Sequence, residues 1–147
     1  MIPAAWSEPR GGAIGRVVES FMVTDDVDTV PCVTSHRLLF SDMLDLLGCP
    51  TVTWMGGVFR GRGVWIAAPY LPGGDGNPVA VDSKGGVSVR GGMLVMSVGP
   101  GGGPVSIDAE LAAELPEAVV MACHRIPGGW CDTYTVEGVD VVWEGTR

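Results

Sequence analysis

From Thr51 onward the chain is a succession of short valine- and aromatic-rich runs cut by glycine and proline, a punctuation that suits strands and leaves little room for long helices. "TVTWMGGVF" and "GVWIAAPYL" are separated by "RGRG". "PVAVDSKGGVSVR" alternates on both arms of a glycine-rich turn, with Val79 and Val81 on one strand and Val87 and Val89 on the other. Gly91-Gly92 leads into "MLVMSV", and the break "GPGGGP" at 99–104 is the best internal boundary in the sequence. "VVMACH" and "DTYTVEGVDVVWE" then read as three more strands, the last two joined at Glu137-Gly138. Upstream, a strand from Arg16 to Thr24 ends in the acidic turn Asp25, Asp26, Asp28.

Two segments depart from this texture. "SHRLLFSDMLDLLG" carries Leu39, Phe40, Met43, Leu44 and Leu47 as an apolar stripe opposite Arg37, Ser41 and Asp45. Ser35 fits as its N-cap and Gly48 as its left-handed stop, with Pro50 beyond, which predicts a main helix over about residues 36–47. "SIDAELAAELPEA" predicts a short second helix over about 108–115, capped by Ser106 or Asp108 and stopped near Pro116. The expected class is α+β and β-rich, a compact antiparallel sheet or a small barrel-like domain with these two helices. A chain of 147 residues is the size of one domain, preceded here by an extended arm over about residues 1–13 that holds Pro3, Pro9, Gly11 and Gly12.

The charge balance narrows the function classes. A net charge of −8 repels nucleic acid and anionic lipid, so general nucleic-acid binding is not expected. Only 18% of residues are charged and the mean hydropathy is +0.31, yet no apolar run approaches the ~18 residues of a membrane span. A chain with so few charges has little to cover its own apolar surface, which points to burial against other chains, as a homo-oligomer or within a larger assembly. Nearly all basic residues are arginine, Gln is absent and Asn77 is the sole Asn, a bias of GC-rich coding that suits actinobacteria, their phages or some GC-rich animal viruses. Met1-Ile2-Pro3 opens without a secretory signal, so the expected setting is cytoplasm or virion, with Cys32, Cys49, Cys123 and Cys131 reduced.

"MACHRIPGGWCDTY", residues 121–134, concentrates two cysteines, a histidine and an aspartate. Alternation along a strand sends Cys123 and His124 to opposite faces, while a loop at "RIPGGW" would set His124 opposite Cys131. The stretch is therefore read as a structural hairpin with Trp130 anchoring one end. Gly129-Trp130-Cys131 resembles the nucleophile signature of papain-like viral cysteine proteases over three residues, but the base of that family follows its cysteine and no histidine follows Cys131. Cys32 is better placed. Just before the predicted helix, its thiolate would be favoured by the helix start, and His124 and then Asp132 or Asp140 would follow in the order Cys, His, Asp of a papain-like hydrolase.

Further arrangements are weighed beside it. Cys32-x-x-x-His36 with Cys123 or His124 and Cys131 could supply soft zinc ligands, but neither pair has the tight Cys-x-x-Cys spacing, and no metal or other cofactor is expected. Asp26-x-Asp28 has the chemistry for a divalent ion, though such turns are commonly only solvated. Arg60 and Arg62 amid glycines could cradle an anionic ligand, although the run lacks the Lys-Ser/Thr ending of a phosphate loop. The reading that these features favour is a non-enzymatic assembly protein, a small viral or phage structural component contacting neighbouring subunits. A Cys32/His124 hydrolase and an Arg60/Arg62 anion-binding domain are the alternatives.

Overall fold

The computed structural model describes residues 16–24, 26–49, 51–69, 78–81, 87–126 and 128–146. The expected N-terminal arm, Asp25 and Pro127 lie outside the described residues, as do the side chains of His124 and Cys131. Eleven strands and two helices are described: β1 (Val17–Val23), β2 (Cys32–Arg37), α1 (Phe40–Leu47), β3 (Val52–Phe59), β4 (Arg62–Pro69), β5 (Pro78–Val81), β6 (Val87–Arg90), β7 (Met93–Val98), β8 (Pro104–Val105), α2 (Ala109–Ala118), β9 (Val119–Ile126), β10 (Gly129–Glu137) and β11 (Val139–Thr146). Among the described residues, no helix is long and apolar enough to cross a membrane.

The chain is β-rich α+β, as its punctuation predicts, but the sheet stays open and the barrel-like alternative is not realised. Seven strands form an antiparallel sheet in the order β11-β3-β4-β7-β1-β2, with the short β8 pairing beside β7. A second sheet, β6-β5-β10-β9, is mixed, because β10 runs parallel to β5 while its other pairs are antiparallel.

Period-2 alternation gives the large sheet two apolar faces. Val64, Ile66 and Ala68 of β4, with Met55, Phe59, Met93 and Val95, pack under Leu111 and Leu115 of α2 and against Val79, Ala80 and Val136 of the small sheet. Trp65 and Ala67 point the other way and join Val52, Trp54, Leu94 and Met96 beneath Met43, Leu44 and Leu47 of α1. Burial on both faces explains why β3, β4 and β7 read as nearly continuous apolar runs. Gly57 is required by close approach: a Cβ there would lie 3.0 Å from the Asp140 carbonyl oxygen on β11.

The main helix starts later than its sequence predicts. Ser35, His36 and Arg37 are paired with Glu19, Val18 and Val17 of β1, and the Leu38 N–H continues that edge by donating to the Arg16 carbonyl at 2.9 Å. This long-range pairing overrides the local cap signal at Ser35, so α1 begins at Phe40 behind Leu39, with no side-chain cap. Its end is as expected: Gly48 adopts φ +63° and its N–H donates to the Leu44 carbonyl. α2 is capped by Asp108 and runs through Pro116 to Ala118, where the Val119 N–H donates to the Pro116 carbonyl. The "GPGGGP" stretch is the turn between β7 and β8, closed by the Gly99 N–H donating to the Gly103 carbonyl at 2.7 Å.

Candidate functional site

The two arginines of the glycine loop sit at the β3–β4 hairpin, where Phe59 pairs with Arg62 and only Arg60 and Gly61 form the turn. Both have positive φ, +50° and +80°, the backbone of a type I′ turn whose twist matches its flanking strands. The Arg60 guanidinium lies over the Phe59 ring, 5.0 Å from its centroid, and 3.5 Å from Glu117. Arg62 reaches Asp108 at 3.3 Å, Glu114 at 3.8 Å and the carboxylate of Glu110. Four acids of α2 and its cap thus face two cations, and both guanidiniums hold protein carboxylates where an anionic ligand would sit. The sequence shows the arginines but not these partners, which come 46 or more residues later.

Asp108 is the centre of that network. Its carboxylate accepts from the Leu111 N–H at 2.7 Å, from Arg62, and from the Ser97 hydroxyl at 3.1 Å, while its own N–H donates to Ser97 Oγ at 2.9 Å. The cap therefore also fastens α2 to β7.

The proposed nucleophile and base occupy end strands of different sheets. Cys32 opens β2, exposed, at one end of the seven-stranded sheet, and His124 lies on β9 at one end of the small one. With α1 starting at Phe40, the helix start invoked to favour a Cys32 thiolate lies elsewhere. Asp132 is exposed on β10, opposite Cys123. His124 is paired with Cys131, the register expected of a hairpin at "RIPGGW", and Gly128 and Gly129 turn the chain with φ of +90° and +151°. Trp130, expected to anchor one end of this hairpin, is 70% exposed.

His36, suggested above as a zinc ligand, makes a contact that spacing does not foretell. Its Nε2 lies 2.9 Å from Ser20 Oγ, across the β1–β2 pair, and its Nδ1 lies 3.0 Å from the Arg37 carbonyl oxygen. A Ser-His pair held this way has the geometry of a nucleophile and base. However, Ser20 is completely buried, so the pair works as a polar tie within the sheet. Among the described residues no three His, Cys, Asp or Glu side chains gather at metal-binding geometry. Asp26 closes its own turn, accepting from the Asp28 N–H at 3.0 Å and the Thr29 hydroxyl at 3.2 Å. Burial pushes the Cys49 thiol above the ordinary value, partly offset by its backbone hydrogen bond with Thr51.

Apolar side chains in solvent form the remaining feature. Val30 (70%), Val17 (62%) and Val33 are exposed along the β1–β2 hairpin. On the small sheet Trp130, Met121 (50%) and Val120 are exposed. Register puts Met121 and Trp130 on the face of the β9–β10 ribbon that carries Val119, Tyr134 and Val136, with Cys123 and Asp132 between them and Arg125 opposite Trp130.

Comparison with family models, with curated proteins and with solved structures returned no match.

Proposed function

We propose that this chain is a non-enzymatic assembly component, a small structural subunit of a viral or phage particle that buries part of its surface against neighbouring chains. The viral setting is supported by chain size, low charge and the GC-rich residue bias. The observation that carries the assembly reading is the exposure of Met121 and Trp130 on the β9–β10 ribbon, on the face that carries Val119 and Val136. Exposed aromatic and methionine side chains on a rigid strand pair are the usual material of an interface centre. Polar pairing leaves the rival chemistry less equipped: Arg60 and Arg62 hold acids of α2, and Ser20 is inaccessible beside His36.

The test is sedimentation velocity of the full chain at micromolar concentration, with Trp130→Ser and Met121→Ser beside it. The expected result is an oligomer that both substitutions weaken while the circular dichroism spectrum is unchanged. A highly soluble monomer across the range, binding no other chain through this ribbon, would overturn the reading.

A further inference from the structure

Among the described residues, nothing pairs with the outer edge of β2 in the large sheet. β2 is the last strand in the order, and four of its six residues are exposed. Sheet ends carry backbone N–H and C=O groups that can pair with another strand, and proteins blunt them with charged side chains, lysine above all, and with proline. In β2, Cys-Val-Thr-Ser-His-Arg, the one such residue is Arg37 at its end, with Pro31 just before its start. The opposite end differs: β5 and β6 of the small sheet approach β11.

The charges of β2 and its turn are polarised along their length. The turn end carries exposed Asp26 and Asp28. The other end carries exposed Arg37 beside Arg16, whose guanidinium donates to the Pro104 carbonyl, with Glu19 of β1 exposed nearby. From Thr29 to Ser41 the sequence holds no carboxylate, although the chain as a whole is at −8. Val33 is exposed between those ends and Val17 is exposed opposite Arg37, both on the face of the sheet that carries Glu19.

Such a hairpin is complementary to itself in one orientation. When a second β2 lies antiparallel to the first, the arginine end of each copy meets the acidic end of the other. A parallel approach would set like charges together. An antiparallel pair of identical strands is a closed two-fold contact, in which the same patch serves both partners. A head-to-tail contact would instead need a free β11, which the small sheet flanks.

We propose that two copies of this chain pair through their β2 strands, antiparallel about a two-fold axis, continuing the large sheet from one protomer into the next. This rests on the assembly reading and assigns it a surface, a partner and a symmetry. The ribbon at Trp130 is left for other contacts of the assembly.

The experiment measures dimerisation of the full chain by sedimentation equilibrium, with circular dichroism as the control for folding. Wild type is expected to dimerise, more weakly as salt rises, because the end charges are exposed. Arg37→Glu and Val33→Lys should each weaken the dimer by about tenfold or more, and Asp28→Arg added to Arg37→Glu should recover most of the loss. Three results overturn the proposal. One is a dimer that folds and persists unchanged in both Arg37→Glu and Val33→Lys. Another is an oligomer that dissociates with Trp130→Ser but ignores every β2 substitution, which leaves the assembly reading standing while removing this surface from it. A chain that stays monomeric overturns the pairing; if it also binds no other chain through the ribbon, both fall.

Discussion

Trp54 meets Trp65 edge to face, ring centroids 6.1 Å apart and planes at 86°, on the face of the large sheet that α1 covers. Both rings are almost fully buried, and the Trp65 indole N–H donates to the Gly102 carbonyl at 2.8 Å. One side chain thus fills the core beneath α1 and ties down the glycine-rich turn between β7 and β8. Trp65→Ala should cost about 3–5 kcal/mol, through lost burial and the cavity left behind. Trp65→Phe keeps most of the volume but leaves the Gly102 carbonyl unpaired, for about 1–3 kcal/mol. Urea unfolding monitored by far-ultraviolet dichroism checks both, and equal costs for the two variants would mean that the hydrogen bond carries the whole effect.

Asp108→Ala removes the α2 cap and the tie to Ser97 together. The expected loss is about 1–2 kcal/mol, with Asp108→Asn well below that because an amide still accepts from the Leu111 N–H. Arg62 is partly exposed, so its ion pairs add little and fade in salt. Unfolding at low and high salt separates these contributions: the Asp108→Ala cost should change little, and that of Arg62→Ala should shrink.

At the β3–β4 turn, Gly61 has φ +80° with open space around its Cα. Any cost of substitution there is backbone strain rather than collision. Gly61→Ala should destabilise by about 1 kcal/mol, whereas Arg60→Asn, at φ +50°, should be neutral or slightly stabilising. Thermal unfolding gives the ranking directly, and an unchanged melt for Gly61→Ala would contradict the turn assignment.

Cys49 should alkylate more slowly than Cys32 at neutral pH, since burial raises its pKa while Cys32 stands exposed. The sign for stability follows. A thiol whose folded pKa lies above its unfolded value helps the folded state fully below the unfolded value, and that help is lost as pH rises through the folded one. Cys49→Ser should therefore flatten the decline of stability in the alkaline range. Faster labelling at Cys49 than at Cys32 would refute the burial argument.

The strands were legible because alternation and glycine punctuation are local signals, and Gly48 and Asp108 were legible for the same reason. What the sequence hid is non-local. Ser35 has the chemistry of a cap, but pairing with Glu19 claims it for β2, and only the folded sheet decides between the two. Arg60 and Arg62 look like an anion cradle until α2 arrives with Glu117, Asp108, Glu110 and Glu114. The Ser20–His36 contact joins residues whose spacing carries no periodic signal, because strand register alone creates it. Trp130 misled in the other direction: expected to anchor one end of the hairpin, it stands in solvent.

α2 passes into β9 without a linking residue, Ala118 ending the helix and Val119 beginning the strand. The helix is gripped along its length by the arginines of the β3–β4 turn, and at its start by Ser97. With no residue between helix and ribbon, the direction in which β9 sets out is fixed by the last turn of α2, where the Val119 N–H donates to the Pro116 carbonyl.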